Sequence, residues 1–157
     1  MKTEKEMEIS SKLESYIKNG FVDINSFENP DDEAADCLLE LFQKKPELCE
    51  KYCKVILNDD NIGDKYLDSS CLSHLFDLNK KYSLSYVERE VEKMSPPVLA
   101  AAMDGLCQYS NTPFRSEFSN KLINDISDRY DKIVQDNVYR GMLENSYKFF
   151  FDIFLKK

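Results

Sequence analysis

Residues 37–42 read Cys37-Leu38-Leu39-Glu40-Leu41-Phe42, and 34 residues later the chain reads Cys71-Leu72-Ser73-His74-Leu75-Phe76. In both stretches the first, second, fifth and sixth side chains are apolar, the spacing that gathers them on one face of a helix. Leu38 and Leu72 return once more as Leu106, and the segments that follow match as well, Tyr52, Cys53 and Leu57 at the positions of Tyr86, Val87 and Val91. Helical hairpins that each bury an apolar face on the next produce such a period. The aromatic, Gly, Ala and Pro landmarks of tetratricopeptide repeats are missing. The pattern therefore predicts an all-α fold of stacked helical hairpins, a short irregular HEAT-like α-solenoid of seven or eight helices, with a plain helical bundle as the alternative.

Outward from these stretches the helical reading holds along the chain. Ile9, Leu13, Tyr16 and Ile17 share a face of a helix near residues 3–18, which Asn19-Gly20 stops, and a less regular link follows. A helix begins at Asn29-Pro30-Asp31 with acids at its positive end and finishes at Lys44-Lys45; Pro46 suits the first turn of the next. Further helices are expected over about 64–79 and 83–94, and after Ser95-Pro96-Pro97. A long one carrying Phe118, Leu122, Ile126 and Ile133 follows Thr112-Pro113, and a last one holds Val138, Met142, Leu143, Tyr147, Phe150 and Phe154. Residues 1–157 are read as a single all-helical domain, with the first helix and link over 1–28 and the hairpin repeats over 29–157.

The composition, 42% hydrophobic and 32% charged over 157 residues, is that of a globular chain with a sizeable core. The N-terminal stretch has acids where a secretory signal needs an apolar segment, and no apolar run approaches the roughly 18 residues of a membrane span, so a cytoplasmic location is expected. Five cysteines, all inside apolar helical patterns, read as reduced buried thiols.

Catalytic signatures are missing from the sequence. The single histidine, His74, has no marked partner, the four glycines are scattered, and there is no phosphate loop, paired-histidine metal helix or nucleophile elbow. Cys49 with Cys53 and Cys71 with His74, each pair about one turn apart, would offer four soft ligands to zinc. Against a metal role, Cys53 stands at the repeat position of Val87, and Cys37, which no metal scheme uses, at that of Cys71. The thiols are thus read as small core residues, and no metal or cofactor is expected. Asp59-Asp60-Asn61 with Asp64 lacks the glycine and closing glutamate of a calcium loop.

Charge is unevenly distributed. The formal net charge of −8 arises within residues 21–80, which hold fourteen Asp and Glu against six Lys, whereas the flanks balance. A field of one sign steers partners of the opposite sign and repels nucleic acid and anionic membranes. Asp32, Asp36 and Glu40, four apart, form an acidic stripe opposite Leu38, Leu41 and Phe42, and Asp64 and Asp68 extend it one repeat later. Like charges at this spacing repel by a few tenths of a kcal/mol per pair, so stability alone does not favour the stripe. Asp31, Asp32 and Glu33, in the first turn, are read mainly as partners of the helix dipole, which does not account for Asp36, Glu40 or Asp68 beyond it. The Glu47–Lys51 and Glu50–Lys54 spacings are ordinary neutralising pairs. Tyr66 and Tyr109 are candidate aromatic anchors. Near the C-terminus, Phe149 and Phe151 cannot share a face with Phe150; they are expected to close the end of the repeats against a neighbouring helix, the alternative being a self-association patch.

A small, acidic, all-helical chain built on degenerate hairpins such as Cys37–Phe42 and Cys71–Phe76, with no catalytic constellation, resembles the immunity proteins of bacterial polymorphic-toxin and contact-dependent growth inhibition systems. The resemblance covers about Asp31 to Leu106. It implies one-to-one neutralisation of a cognate toxin, commonly a nuclease domain, by covering its active site. A nuclease needs a basic cleft for phosphate, and an acidic helical surface offers that cleft a competing charge. Partner-binding residues would be Asp32, Asp36, Glu40, Asp64 and Asp68, with Tyr66 and Tyr109, on a chain that is monomeric or a weak homodimer and is not an enzyme. The alternative is an α-repeat adaptor holding a peptide or helix of another protein.

Overall fold

The structure, a computed structural model, describes residues 4–20, 29–136 and 141–156. Among them are eight α-helices and no strand: α1 (Glu4–Asn19), α2 (Pro30–Lys44), α3 (Pro46–Leu57), α4 (Lys65–Leu78), α5 (Lys80–Glu90), α6 (Pro96–Gln108), α7 (Asn120–Gln135) and α8 (Met142–Phe150). The link expected over 21–28 and Val138 lie outside the described residues. The fold is all-α, as the apolar periodicity predicts.

Local chemistry sets the helix ends. Gly20, at φ +81°, closes α1 by donating to the Tyr16 carbonyl at 2.8 Å. Asn29 caps α2 by accepting from the Asp31 N–H at 2.8 Å, Pro30 fills the first turn, and Asp31, Asp32 and Glu33 oppose the dipole. At its far end Lys45 (φ −140°, ψ 73°) donates to Leu41 O at 2.6 Å, and Pro46 restarts the chain as α3. The same bend recurs 34 residues later, where Asn79 (φ −156°, ψ 79°) donates to Leu75 O at 2.7 Å before α5 begins at Lys80.

Burial follows the same register. Leu38 and Leu41 are fully enclosed, as are Leu72 and Leu75; Cys53 matches Val87, both at 0% exposure, and buried Leu57 matches buried Val91. One equivalence the sequence reading missed joins Cys49 to Ser83, both fully buried. Each enclosed Leu contributes on the order of 1.5–3 kcal/mol, so the register coincides with the core of each segment.

The helices group into two compact units, Met1–Lys80 and Lys81–Lys157. The sequence suggested one domain subdivided after residue 28; the structure groups the residues on either side of the junction just after the Asn79 bend. In the first unit α3 packs on α2 and α4, and α1 lies on α2 and α3, enclosing Leu13, Tyr16, Cys49, Ile56 and Phe76. In the second unit α6 packs on α7 and α8 around Leu99, Met103, Leu106, Ile126 and Phe150.

Two predicted spans differ in detail. The helix expected over 83–94 starts at Lys80 and tightens into a 3-10 turn at Val91–Lys93. The long helix expected after Pro113 divides: Pro113–Glu117 form a 3-10 turn that buries Phe114, Phe118 turns extended, and Ser119 caps α7 through the Leu122 N–H at 3.0 Å. A serine cap after an extended residue starts a new helix more effectively than apolar spacing can carry one through.

Candidate partner-binding surface

On α2, Asp32 and Asp36 are exposed while Leu38 and Leu41, across the helix, are not. Glu40 ends this stripe half-buried, its Oε1 2.9 Å from Lys44 Nζ, so its charge is neutralised locally. Leu39, 48% exposed, falls within the same arc as Asp32 and Asp36 at 100° per residue. Its neighbour Leu38 holds the inward position. The outer face of α2 thus presents two exposed carboxylates beside an apolar side chain, a combination that gives charge for steering and an apolar contact for residence.

The α4 end departs from the expected stripe. Asp64 is exposed, but its Oδ1 accepts from the Leu67 N–H at 2.8 Å, so it serves as the helix cap. Asp68, expected to point outward one turn on, is mostly buried, and its Oδ1 has no hydrogen-bond partner. Burial pushes its carboxyl up to about 7; Lys65 opposes that shift, and Asp60, Asp64 and Asp31 add to it. Tyr66 between them is 57% exposed. Tyr109 belongs to the second unit, where it ends α6 and packs edge-on against Phe114 with ring centroids 5.5 Å apart.

The first unit also brings together residues that the sequence reading left apart. Tyr16 on α1 donates to the Asp31 carboxylate, and burial together with that acid holds the phenol well above its usual range. Beside them opens a cavity of 520 Å3 lined by Tyr16, Lys18, Asp31, Asp59, Ile62 and Gly63 among others. Gly63, at φ +75°, is required here: a Cβ would stand 2.8 Å from Leu67 Cδ2 and 3.2 Å from the Tyr16 hydroxyl. No spacing rule pairs Tyr16 with Asp31. The acids at the start of α2 read as dipole partners, and Asp31 is in addition the anchor of α1.

The thiols are core residues in the first unit. Cys49 Sγ and Cys53 Sγ lie 3.8 Å apart, and Cys49, Cys53 and Cys71 are all inaccessible. The hydrogen bond with Cys53 and burial hold the Cys49 thiol far above its usual range; at Cys53 the bond with Cys49 pulls the pKa down, but the bond with Cys71 and burial outweigh it and leave that thiol raised as well. His74 packs its ring on Phe42 at 4.8 Å, and burial lowers its pKa. Among the described residues no group of three or more His, Cys, Asp or Glu side chains is placed to hold a metal ion. No helix among them is long and apolar enough to cross a membrane. The acid-first pair Glu50–Lys54 closes at 2.8 Å, while Lys51 Nζ lies 5.3 Å from the Tyr52 ring centroid.

These features define an all-α protein of repeat-like register whose acidic unit presents a charged helix face. No protein-family model matches the chain, and no curated protein matches it.

Proposed function

We propose that this chain is a cytoplasmic immunity protein that binds and neutralises a cognate toxin, a basic nuclease domain, through the outer face of α2. The observation that carries the reading is the exposed arc of Asp32, Asp36 and Leu39 on the unit that holds the entire net charge. Within this reading Asp32 and Asp36 supply the steering field, Leu39 and Tyr66 the contact area, and Asp64 a secondary charge. Glu40 contributes less, because Lys44 already answers it. Asp68 and Tyr109 serve packing instead.

The acidic field acts by occupying the cleft that phosphate would enter, which needs no group transfer by this chain. Co-expression with the protein encoded beside its gene, followed by purification of the complex and a nuclease assay, tests the reading. A stoichiometric complex with a basic partner and blocked nuclease activity supports it. A complex indifferent to 1 M salt, or one with a partner lacking a basic surface, favours the adaptor reading instead.

A further inference from the structure

The end of α8 carries a surface that the second unit leaves uncovered. Phe150 is fully enclosed, and Leu143 and Ser146 are buried with it, which fixes the inner face of the helix. Opposite lie Lys148, Phe149, Phe151 and Asp152, all exposed, with Phe149 at 66% and Phe151 at 41%. The expectation that these two rings close the repeats against a neighbouring helix is not met. At about 100° per residue, Lys148 and Asp152 occupy the centre of the outer face and the two rings flank it on opposite sides.

This face is held rigid from behind. Tyr147 stacks on Tyr130 with ring centroids 3.7 Å apart, and Phe150 meets Phe154 at 5.0 Å. After α8 the chain widens into a π-helical turn, Phe151–Leu155, closed by Lys156 N–H to Phe151 O at 2.8 Å. Arg115 anchors that turn, donating to Ile153 O at 3.2 Å with its guanidinium 4.9 Å from the Phe154 ring centroid. A presented surface that is already ordered loses little freedom on binding.

We propose that the outer face of α8 is a docking surface for a second copy of this chain, the two helices antiparallel about a two-fold axis at residue 150. The pattern is self-complementary: such an axis sets Lys148 of each copy opposite Asp152 of the other, and brings Phe149 to Phe149 and Phe151 to Phe151. That is the isologous arrangement, in which one patch satisfies itself. The long-range charge of −8 per chain lies within residues 1–80, while residues 81–157, which carry this face, hold eleven acidic and eleven basic side chains and add no net repulsion of their own. Four rings and two ion pairs fall short of the roughly 800 Å2 per partner of a standard interface, so the dimer is weak, with a dissociation constant on the order of 0.1 mM.

Sedimentation of the full chain between about 10 µM and about 1 mM tests this. The average mass rises toward twice the monomer's, and Phe149→Ala with Phe151→Ala lowers the association constant at least tenfold. Lys148→Asp and Asp152→Lys each weaken self-association, yet a mixture of these two chains associates more strongly than either alone, because both cross-pairs are then attractive. A monomer at every concentration, a dimer unaffected by loss of the rings, or a mixture no tighter than its components overturns the proposal.

Discussion

The two compact units solve the same packing problem with different side chains. Residues 1–80 hold eighteen acidic and ten basic side chains, the whole of the net charge, around a core of aliphatics and thiols such as Leu38, Leu72, Cys49 and Cys53. Residues 81–157 are neutral and rely on a chain of rings, Tyr109 to Phe114 to Phe118 to Phe154 to Phe150, with successive centroids 5.0–5.9 Å apart. A core of aromatic side chains in a short helix cannot turn every ring inward, and the second unit leaves Phe149 and Phe151 outside. The first unit thus exposes carboxylates on α2, and the second exposes two rings beside Lys148 and Asp152 at the end of α8.

The sharpest way to break this contrast is to remove its anchors. Phe150→Ala, at a fully enclosed position, is expected to cost about 3–5 kcal/mol in chemical denaturation, since the ring leaves a cavity among other rings. Gly63→Ala in the first unit forces a left-handed backbone onto alanine and a Cβ onto Leu67; about 1–3 kcal/mol is expected in the same measurement.

The carboxyl of Asp68 tests the electrostatic half. Its folded pKa of about 7 lies above the ordinary 3.8, so the folded state holds its proton more tightly than the unfolded chain does. Its contribution is therefore fully present below the ordinary value and is lost as pH rises toward 7. Asp68→Asn is expected to flatten stability between pH 4 and 7 and to exceed the native chain at pH 8; an unchanged pH profile would place the carboxyl in water. The smallest effect on stability is expected at Asp36→Lys, which relieves the repulsion with Asp32 by about 0.2–0.5 kcal/mol, measurable as a slight rise in denaturation midpoint.

Much of this was legible in the chain. Pro30, Pro46 and Pro96 mark helix starts within a residue, and the 34-residue register correctly pairs Cys53 with Val87 and Leu57 with Val91 in burial. What spacing could not supply was competition for the same side chain. Asp64 and Asp68 share a helix side on any wheel, yet one is spent on capping and the other is drawn inward, where carboxylates at 60, 64 and 31 converge. The Tyr16–Asp31 bond joins residues fifteen apart on two different helices, beyond the reach of helical periodicity. The break at Phe118–Ser119 was hidden because Phe118 continues the apolar pattern while its backbone does not.

The most direct test of the central claim is the association rate between this chain and the protein encoded beside it, the toxin partner proposed above, measured at low salt for the native chain and for Asp32→Lys with Asp36→Lys. The account predicts a complex whose formation slows tenfold or more in the variant and converges with the native rate as salt rises; an unchanged rate, or no complex at all, would contradict it.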